Sequence, residues 1–427
     1  MARLRFIPFI CLTALLFLTY RLYTFSYFWI DDFNNLHWVQ QPNAAQMLWY
    51  ILNPASGFFR PTGMAFYWLL WRAFGLNAFA YHVVAWTIHA ANTALVYVIL
   101  KRVAASRAGA VAGAMLFASA TVFADIYWSF TTIFELVCAA AMFAGILLWN
   151  KEDRSWSRSI LCFFVFIFAF EAKEMAVTLP VIYFGCDLLL RRFKLRNLWQ
   201  VLPCAAFGVW YGLIRSVDLR KTSPPDPYYM DLRWITLGRG YAGYINELLH
   251  TNLRWQYWAI GSVALLLLFL LLKMWPAVFF QVYVFITFLP VILLVNHRYS
   301  FFWYIPMLGV YGLAALVVKS LGKAIAAHVP DRVAPVVAAA GLVALAFGLY
   351  INHRYETDQG RQWQQQRSAE YRAFVASVRA LPTPAPAATI YFESYPLGFN
   401  PETFRYASQL ALRRPDIDAK VIGRSQP

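Results

Sequence analysis

Long apolar segments set the strongest limit on how this chain can fold. Windows of roughly 20 mostly apolar residues, the length that crosses a bilayer, recur about eleven times along the chain. They lie near 6–24, 81–100, 108–125, 131–149, 159–172, 174–190, 198–215, 257–273, 276–295, 300–318 and 333–351. The chain is 60% hydrophobic and only 14% charged, which exceeds what a soluble core needs. We therefore predict an all-α polytopic membrane protein with about eleven transmembrane helices.

The basic residues predict the orientation of these helices. They follow every second apolar segment, in loops near 101–107, 151–158, 191–196, 273 and 319–332. By the positive-inside rule these loops and the N-terminus are cytoplasmic, and the C-terminus is periplasmic if the membrane is a bacterial inner membrane. The net charge of +16 thus indicates contact with membrane lipids and not with nucleic acid, because no aromatic-interleaved basic patch occurs.

Three hydrophilic regions fall on the outer side in this topology. The first is loop 25–80, in which 36–52 and 61–76 are predicted to be interfacial helices, because 61–76 carries Arg72 and is too short to span. The others are loop 216–256 and the tail 352–427. The tail pattern predicts a polar helix to Arg379, a strand at 389–392 and a helix over 401–413, which together make a small α/β unit. We expect a transmembrane domain at 1–351 and a separate tail at 352–427.

Two sets of residues of types that often bind metals are predicted to have structural roles instead. The five cysteines lie in apolar segments without metal-binding or disulfide spacing. His82, His89 and Asn92 share a helical stripe, which favours interhelical hydrogen bonds over a metal site. His82, near the outer surface, is the one of the three that we also expect to line a substrate cavity.

An aspartate pair follows the first apolar segment. Asp31 and Asp32 stand in SYFWIDDFNNLHW, at the outer end of an aromatic-rich stretch where a carboxylate is costly. An aspartate fixed beside an acceptor hydroxyl can take its proton as the nucleophile forms. The alternative is that one of the pair caps the helix that follows. We predict that Asp31 and Asp32 are catalytic, without deciding which is the base.

Further ionisable residues interrupt apolar hairpins on the same side. Arg60, Lys173 and Arg298 are the cations suited to hold a phosphate group. Glu174, His297 and Tyr299 lie next to them in the sequence and are expected to line the same cavity. The alternative is ordinary pairing among loop charges, such as Lys173 with Glu174.

Four segments in order resemble GT-C glycosyltransferases. The resemblance is to the protein O-mannosyltransferase-like and transmembrane-tetratricopeptide O-mannosyltransferase-like branch, without its repeats. The segments are WIDDFNNL at 29–36, the Arg-Pro segment from 59 to 102, AKEMAVTLPVIYFGCDLLL at 172–190 and RYSFFWYIPMLG at 298–309. It implies a polyprenyl-phosphate sugar donor, inversion at the anomeric carbon and an active site facing the periplasm. His297 departs from the family, whose members usually have an acidic residue there.

The resulting prediction is a membrane glycosyltransferase that uses a polyprenyl-phosphate-linked sugar. Its acceptor is an envelope glycan, a lipid-linked glycan or a protein. No cofactor is expected, and a divalent metal at Asp31 and Asp32 is the less favoured alternative. Three other functions stay open: a lipid-linked sugar flippase or transporter, which intramembrane charges also suit; a glycan polymerase or ligase, which would use the basic loop 216–256; and a non-enzymatic scaffold.

Overall fold

The computed structural model describes residues 6–53, 60–151, 155–191, 196–219, 223–224, 226–394 and 396–422. The helices are α1 (Ile7–Phe25), α2 (Ile30–Val39), α3 (Ala44–Leu52), α4 (Pro61–Phe74), α5 (Ala78–Val103), α6 (Arg107–Ala118), α7 (Asp125–Trp128), α8 (Ile133–Trp149), α9 (Trp156–Ala172), α10 (Leu179–Gly185), α11 (Arg196–Leu219), α12 (Trp234–Leu249), α13 (Trp255–Leu271), α14 (Trp275–Ile292), α15 (Met307–His328), α16 (Ala334–Arg379) and α17 (Pro401–Leu412). The strands are β1 (Thr389–Phe392) and β2 (Asp418–Val421). Parts of two predicted basic loops, 152–154 and 192–195, lie outside the described residues.

The helices confirm a membrane protein that is mostly helical. Five described stretches are long and apolar enough to cross a bilayer: Ala78–Val103, Phe130–Trp149, Trp275–Ile292, Met307–His328 and Ala334–Gly360. Shorter apolar helices cover Pro8–Arg21, Arg107–Ala118 and Trp255–Leu271. In α13 none of the side chains is buried, as expected for a helix that faces lipid. The total of about eleven spans and their orientation stay predictions.

Two predicted transmembrane segments near the candidate site are not continuous helices, and in a third, 108–125, α6 ends at Ala118. The 174–190 segment is a 3-10 turn at Glu174–Thr178, then α10, then a π turn at Cys186–Leu190. In the 300–318 segment a 3-10 turn at Ser300–Trp303 comes first, and α15 begins only after Pro306. A proline suits the start of a helix because it has no N–H to place in the helix interior. Both interruptions adjoin residues predicted to form the functional site.

Small residues let two helices approach closely in the core. Gly109 and Gly113 of α6 lie against the backbone of α15, where a Cβ on Gly109 would meet the carbonyl oxygen of Ala315. Packing of this kind is typical of helices in lipid, where association depends on close van der Waals contact. It joins α6 and α15 with α5 in the centre of the bundle.

The C-terminal tail is continuous with the helical bundle. The predicted boundary at 351/352 falls inside α16, which is 46 residues long and includes the polar helix predicted to Arg379. Beyond α16, the strands β1 and β2 pair in parallel and α17 connects them, which confirms the expected α/β unit. This unit packs on α2, where the rings of Phe33 and Phe399 lie 5.4 Å apart. The tail therefore covers the helix that carries the aspartate pair.

Candidate functional site

Asp32 is a buried structural anchor at the start of α2. Its carboxylate accepts the backbone N–H of Trp29 at 2.7 Å, the hydroxyl of Tyr67 at 2.6 Å and that of Thr131 at 2.9 Å. The side chain is 0% exposed. Burial raises the pKa of Asp32 to about 6, although the three donors oppose the increase. Asp32 thus performs the capping role that the sequence left as an alternative, and it joins α2 to α4 and to the segment before α8.

Asp31 differs from its neighbour because its side chain is exposed. Successive residues of a helix point in different directions, so docking of α2 through Asp32 leaves Asp31 facing outward. The surrounding protein limits its hydration and raises the pKa of Asp31, while the positive charge of Arg60 opposes this shift. Of the pair, Asp31 is the carboxylate that an external molecule can reach.

Arg60, whose positive charge acts on Asp31, is held by a two-point ion pair with Glu174. Its Nε and Nη2 atoms donate to the two carboxylate oxygens of Glu174 at 3.1 and 2.7 Å. Burial alone would raise the pKa of Glu174, but the charges of Arg60 and Lys173 outweigh it and hold the pKa at about 2. Arg60 adopts a left-handed backbone conformation, with φ of +59°, directly before Pro61. Such a conformation costs on the order of 1 to 3 kcal/mol for a non-glycine residue and is common at functional sites.

Lys173 forms the second ion pair, with a partner that the sequence did not indicate. Its Nζ lies 2.5 Å from Oε1 of Glu135, and the two side chains are only 4% and 2% exposed. The same Nζ lies 5.5 and 5.2 Å from the ring centres of Phe301 and Phe302. Lys173 therefore pairs with α8, and its sequence neighbour Glu174 pairs with Arg60.

The segment after α14 contributes His297 to this cluster. The pKa of His297 is lowered to about 4, first by burial and then by the positive charges of Lys173 and Arg60. Its ring lies 4.9 Å from that of Tyr228 and 4.6 Å from that of Tyr299. His297 is thus neutral at physiological pH and lines the cluster as an uncharged group.

Tyr228 is a site residue that sequence reasoning missed. The charges of Arg60, Glu174 and Asp31 act on its hydroxyl, which places it among them. The loop that carries Tyr228 is fixed to the segment after α14 because the side-chain amide of Asn296 donates to the backbone carbonyl of Asp226 at 3.1 Å. A lone tyrosine in an outer loop gives no sequence signal for such a position.

Arg298 turns toward α12. Its guanidinium carbon lies 5.6 Å from the ring centre of Tyr244, and its nitrogens pack on the Cα of Gly243. The carboxyl of Glu247 is also near, because the charge of Arg298 partly offsets the rise that burial causes in the pKa of Glu247. Arg298 therefore lies on the α12 side of His297, whereas Lys173 and Arg60 act on His297 itself.

His82 does not line the cavity, contrary to the sequence prediction. It is fully buried within the bundle, and its ring centre lies 6.4 Å from that of Phe130. The interhelical interpretation of its neighbours is confirmed. His89 contacts the hydroxyl of Tyr304 at 2.9 Å, and the Asn92 amide donates to the backbone carbonyl of Leu136 at 2.9 Å.

The assembled cluster contains an exposed carboxylate, two paired cations and a neutral imidazole. Each cation already has a carboxylate partner, so an incoming phosphate would join or displace Glu174 to reach Arg60. Within the part of the chain that the structure describes, no three histidine, cysteine or acidic side chains come together as metal ligands. Chemically, the arrangement can hold an anion beside a carboxylate that accepts a proton.

Comparison with known proteins supports the fold. No protein-family model and no curated protein matches the chain. Among solved structures, it is similar to the crystal structure of ArnT from Cupriavidus metallidurans bound to undecaprenyl phosphate. The sequences are 12% identical, the match covers 98% of this chain and 86% of that one, and the TM-score is 0.51. The two chains therefore share an overall fold, which supports the predicted GT-C fold, while the O-mannosyltransferase-like branch stays a prediction.

Proposed function

We propose that this protein is an inverting glycosyltransferase that moves a sugar from a polyprenyl-phosphate donor to an acceptor hydroxyl at the periplasmic face of the membrane. The observation that carries the proposal is the exposed carboxylate of Asp31, on which the positive charge of the partly buried Arg60 acts, in a chain with a GT-C fold. The ArnT structure contains undecaprenyl phosphate, a lipid of the same chemical class as the proposed carrier. The acceptor is an envelope glycan, a lipid-linked glycan or a protein.

In the proposed reaction, the acceptor oxygen attacks the anomeric carbon from the side opposite the phosphate. The new C–O bond forms as the bond from the anomeric carbon to the phosphate oxygen breaks, and the lipid phosphate leaves with that electron pair. The acceptor proton passes to Asp31. Asp31 is assigned this role because it is exposed, whereas Asp32 is enclosed by Trp29, Tyr67 and Thr131.

The cations have different proposed roles in binding the leaving phosphate. Arg60 is the principal phosphate ligand, since its partner Glu174 is 38% exposed and therefore reachable by a competing anion. Lys173 is enclosed by Glu135 and two phenylalanine rings. It therefore attracts the phosphate through its positive charge without contacting it directly. Arg298 lies farther toward α12, where it would contact a more distant part of the donor or acceptor.

The decisive experiment measures transfer of radiolabelled sugar from polyprenyl-phosphate donors in membranes containing wild type, Asp31→Asn or Asp32→Asn. Protein amounts are matched, and folding is checked by size-exclusion chromatography in detergent. We expect Asp31→Asn to lose at least about a hundredfold in rate while folding normally. Asp32→Asn should lower stability, and any loss of activity should follow the loss of folded protein.

The same assay separates the proposed enzyme from its rivals. Full activity in a folded Asp31→Asn variant would show that Asp31 is not the base. Movement of a lipid-linked sugar across vesicles without transfer would identify a flippase instead. A wild-type protein that is inactive with every donor and acceptor fraction tested would favour a scaffold.

A further inference from the structure

A cleft that does not include the residues of the Asp31 cluster lies between α16 and the start of α5. Its volume is about 770 Å³, and it is bounded by Tyr27, by Leu76 to Phe79 at the start of α5, and by the last turns of α16. Arg372 and Arg379 line it from α16. These two arginines are seven residues apart, which places them on one face of the helix.

The charge of this cleft is not balanced. Among the described residues, neither Arg372 nor Arg379 forms an ion pair, and the guanidinium carbon of Arg372 lies 5.5 Å from the ring centre of Tyr27. Both arginines act on the hydroxyl of Tyr27: burial raises its pKa to about 12, and their charges oppose that rise. Arg372 and Arg379, two positive charges without a carboxylate partner in the described part of the chain, therefore both lie near the buried phenol of Tyr27.

A third arginine, Arg413, lies beside the cleft, at the residue that follows α17. A guanidinium nitrogen of Arg413 lies 3.3 Å from the position that a Cβ on Gly75 would occupy, next to Leu76 in the cleft. Gly75 has a φ of +56°, a conformation that favours glycine. Absence of a side chain at this position leaves room for Arg413 beside the cleft. Arginine can donate two parallel hydrogen bonds to a phosphate, and three arginines supply several such donors.

The apolar side of the cleft indicates what carries the anion. Phe79 lines it and is 51% exposed. It lies at the start of Ala78–Val103, a helix long and apolar enough to span the bilayer. A site that is basic on one side and apolar at the end of a membrane span matches a lipid, with a phosphate head and a hydrocarbon tail.

Two of the arginines have an alternative use at helix ends. Arg379 is in the last turn of α16, and Arg413 lies beside the C-terminal end of α4, where a cation stabilises the helix dipole. Arg372 lies two turns inside α16 and serves neither end. The alternative also does not account for the open volume between α16 and the start of α5.

We propose that this cleft is a second site that binds the phosphate group of a membrane lipid through Arg372, Arg379 and Arg413. Two sources share this chemistry: an anionic phospholipid of the bilayer, and a lipid-linked diphosphate that serves as acceptor carrier. A bilayer phospholipid as occupant does not depend on the proposed transfer reaction, whereas an acceptor carrier as occupant rests on it. Its wall at Tyr27 continues directly into the segment that leads to Asp31, so an occupant would contact the chain next to the first site.

Binding is measured with purified protein in a neutral detergent, using dioctanoyl phosphatidylglycerol, farnesyl diphosphate, dioctanoyl phosphatidylcholine and inorganic phosphate as probes. The test variants are Arg372→Gln/Arg379→Gln and Arg413→Gln. The control is Arg405→Gln/Lys420→Gln, which removes two positive charges from the tail outside the cleft, at the Tyr406 ring and the Asp418 pair. We expect at least about tenfold weaker binding of an anionic lipid by the double test variant, a smaller loss in Arg413→Gln and none in the control.

The outcomes separate the possibilities. Tighter binding of farnesyl diphosphate than of phosphatidylglycerol supports the site with a lipid-linked carrier as occupant, and equal binding supports it with a bilayer phospholipid. Equal weakening in the control, equal binding of inorganic phosphate, or lower thermal stability without weaker lipid binding would each overturn the proposal. Asp31→Asn should bind these probes as wild type does, so failure of the transfer reaction would leave this site intact.

Discussion

The protein has two cationic regions, which differ in whether each cation has a carboxylate partner. Around Arg60 and Lys173, each cation is enclosed and has its own carboxylate, Glu174 or Glu135. In the cleft beside Tyr27, Arg372 and Arg379 are exposed and form no ion pair among the described residues. Removing a cation should therefore unfold the first region but only weaken binding at the second.

The difference follows from the cost of hydration lost on burial. An enclosed ion gives up several kcal/mol of hydration, which a well-placed counterion must offset. An exposed arginine keeps its water and tolerates the absence of a partner until an anion arrives. The ion pairs of the first region are thus required for folding. The unpaired arginines of the second region are free to bind an anion.

Breaking the buried pair should have the largest effect. Lys173→Met leaves Glu135 enclosed without a counterion, and we expect a loss of about 3 to 5 kcal/mol in the free energy of unfolding. Thermal unfolding in detergent, followed by tryptophan fluorescence, measures it. The double variant Lys173→Met/Glu135→Leu removes both charges and should recover most of this loss; a double variant as unstable as the single one would show that the pair is not the cause.

Asp31→Asn should affect activity and leave stability unchanged, because the side chain is exposed. The expected loss in the transfer rate is about 10² to 10⁴-fold. A base must be deprotonated to act, and burial raises the pKa of Asp31 against the opposing charge of Arg60. Wild-type activity should therefore decline with acidification at a higher pH than the ordinary aspartate pKa of about 3.9 would give. An acid limb at or below that value would contradict this assignment.

Arg60→Lys tests whether the shape of the cation matters. Lysine keeps the charge but cannot donate through two nitrogens to Glu174 or to a phosphate. We expect about a tenfold loss in kcat/KM for the polyprenyl-phosphate donor. A companion Arg405→Lys variant, at a guanidinium that lies over Tyr406, should behave as wild type.

Asp32→Asn should change how stability depends on pH. Burial raises the folded-state pKa of Asp32 to about 6, so its stabilising contribution is complete below the unfolded pKa and is lost as pH rises through about 6. Asparagine does not titrate and has only one side-chain acceptor oxygen. It cannot accept from Trp29 on one side and from Tyr67 and Thr131 on the other, which costs about 1 kcal/mol. The wild-type advantage in melting temperature should therefore be larger at pH 5 than at pH 7.5; a constant difference would count against ionisation of Asp32.

Salt should have the smallest effect and act on one region only. Ions screen exposed charges over about 10 Å at 0.1 M and 3 Å at 1 M. Phosphatidylglycerol binding at the exposed arginine cleft should weaken several-fold between these conditions. The stability difference between wild type and Lys173→Met should stay nearly constant, because solvent ions do not reach that pair. Salt-insensitive lipid binding would argue against the arginines as ligands.

Much of the fold was predictable from periodicity and length. Apolar windows located the helices closely, as at α5 and α14, and the strand-like residues of the tail predicted β1 where it occurs. They missed interruptions such as those at Glu174–Thr178 and Ser300–Trp303. Hydropathy averages over a window, so it does not detect a local change in backbone geometry that tertiary contacts stabilise.

The sequence by itself determined that this chain enters a membrane, where its helices lie, and that uncommon charges follow α1 and interrupt later hairpins. The tertiary structure decided that Asp31 is exposed while Asp32 is buried, and that Lys173 pairs with Glu135 instead of Glu174. It also brought Arg372 and Arg379 to the start of α5. The reason is physical: hydropathy is a property of consecutive residues, whereas burial and ion pairing depend on which distant segments pack together.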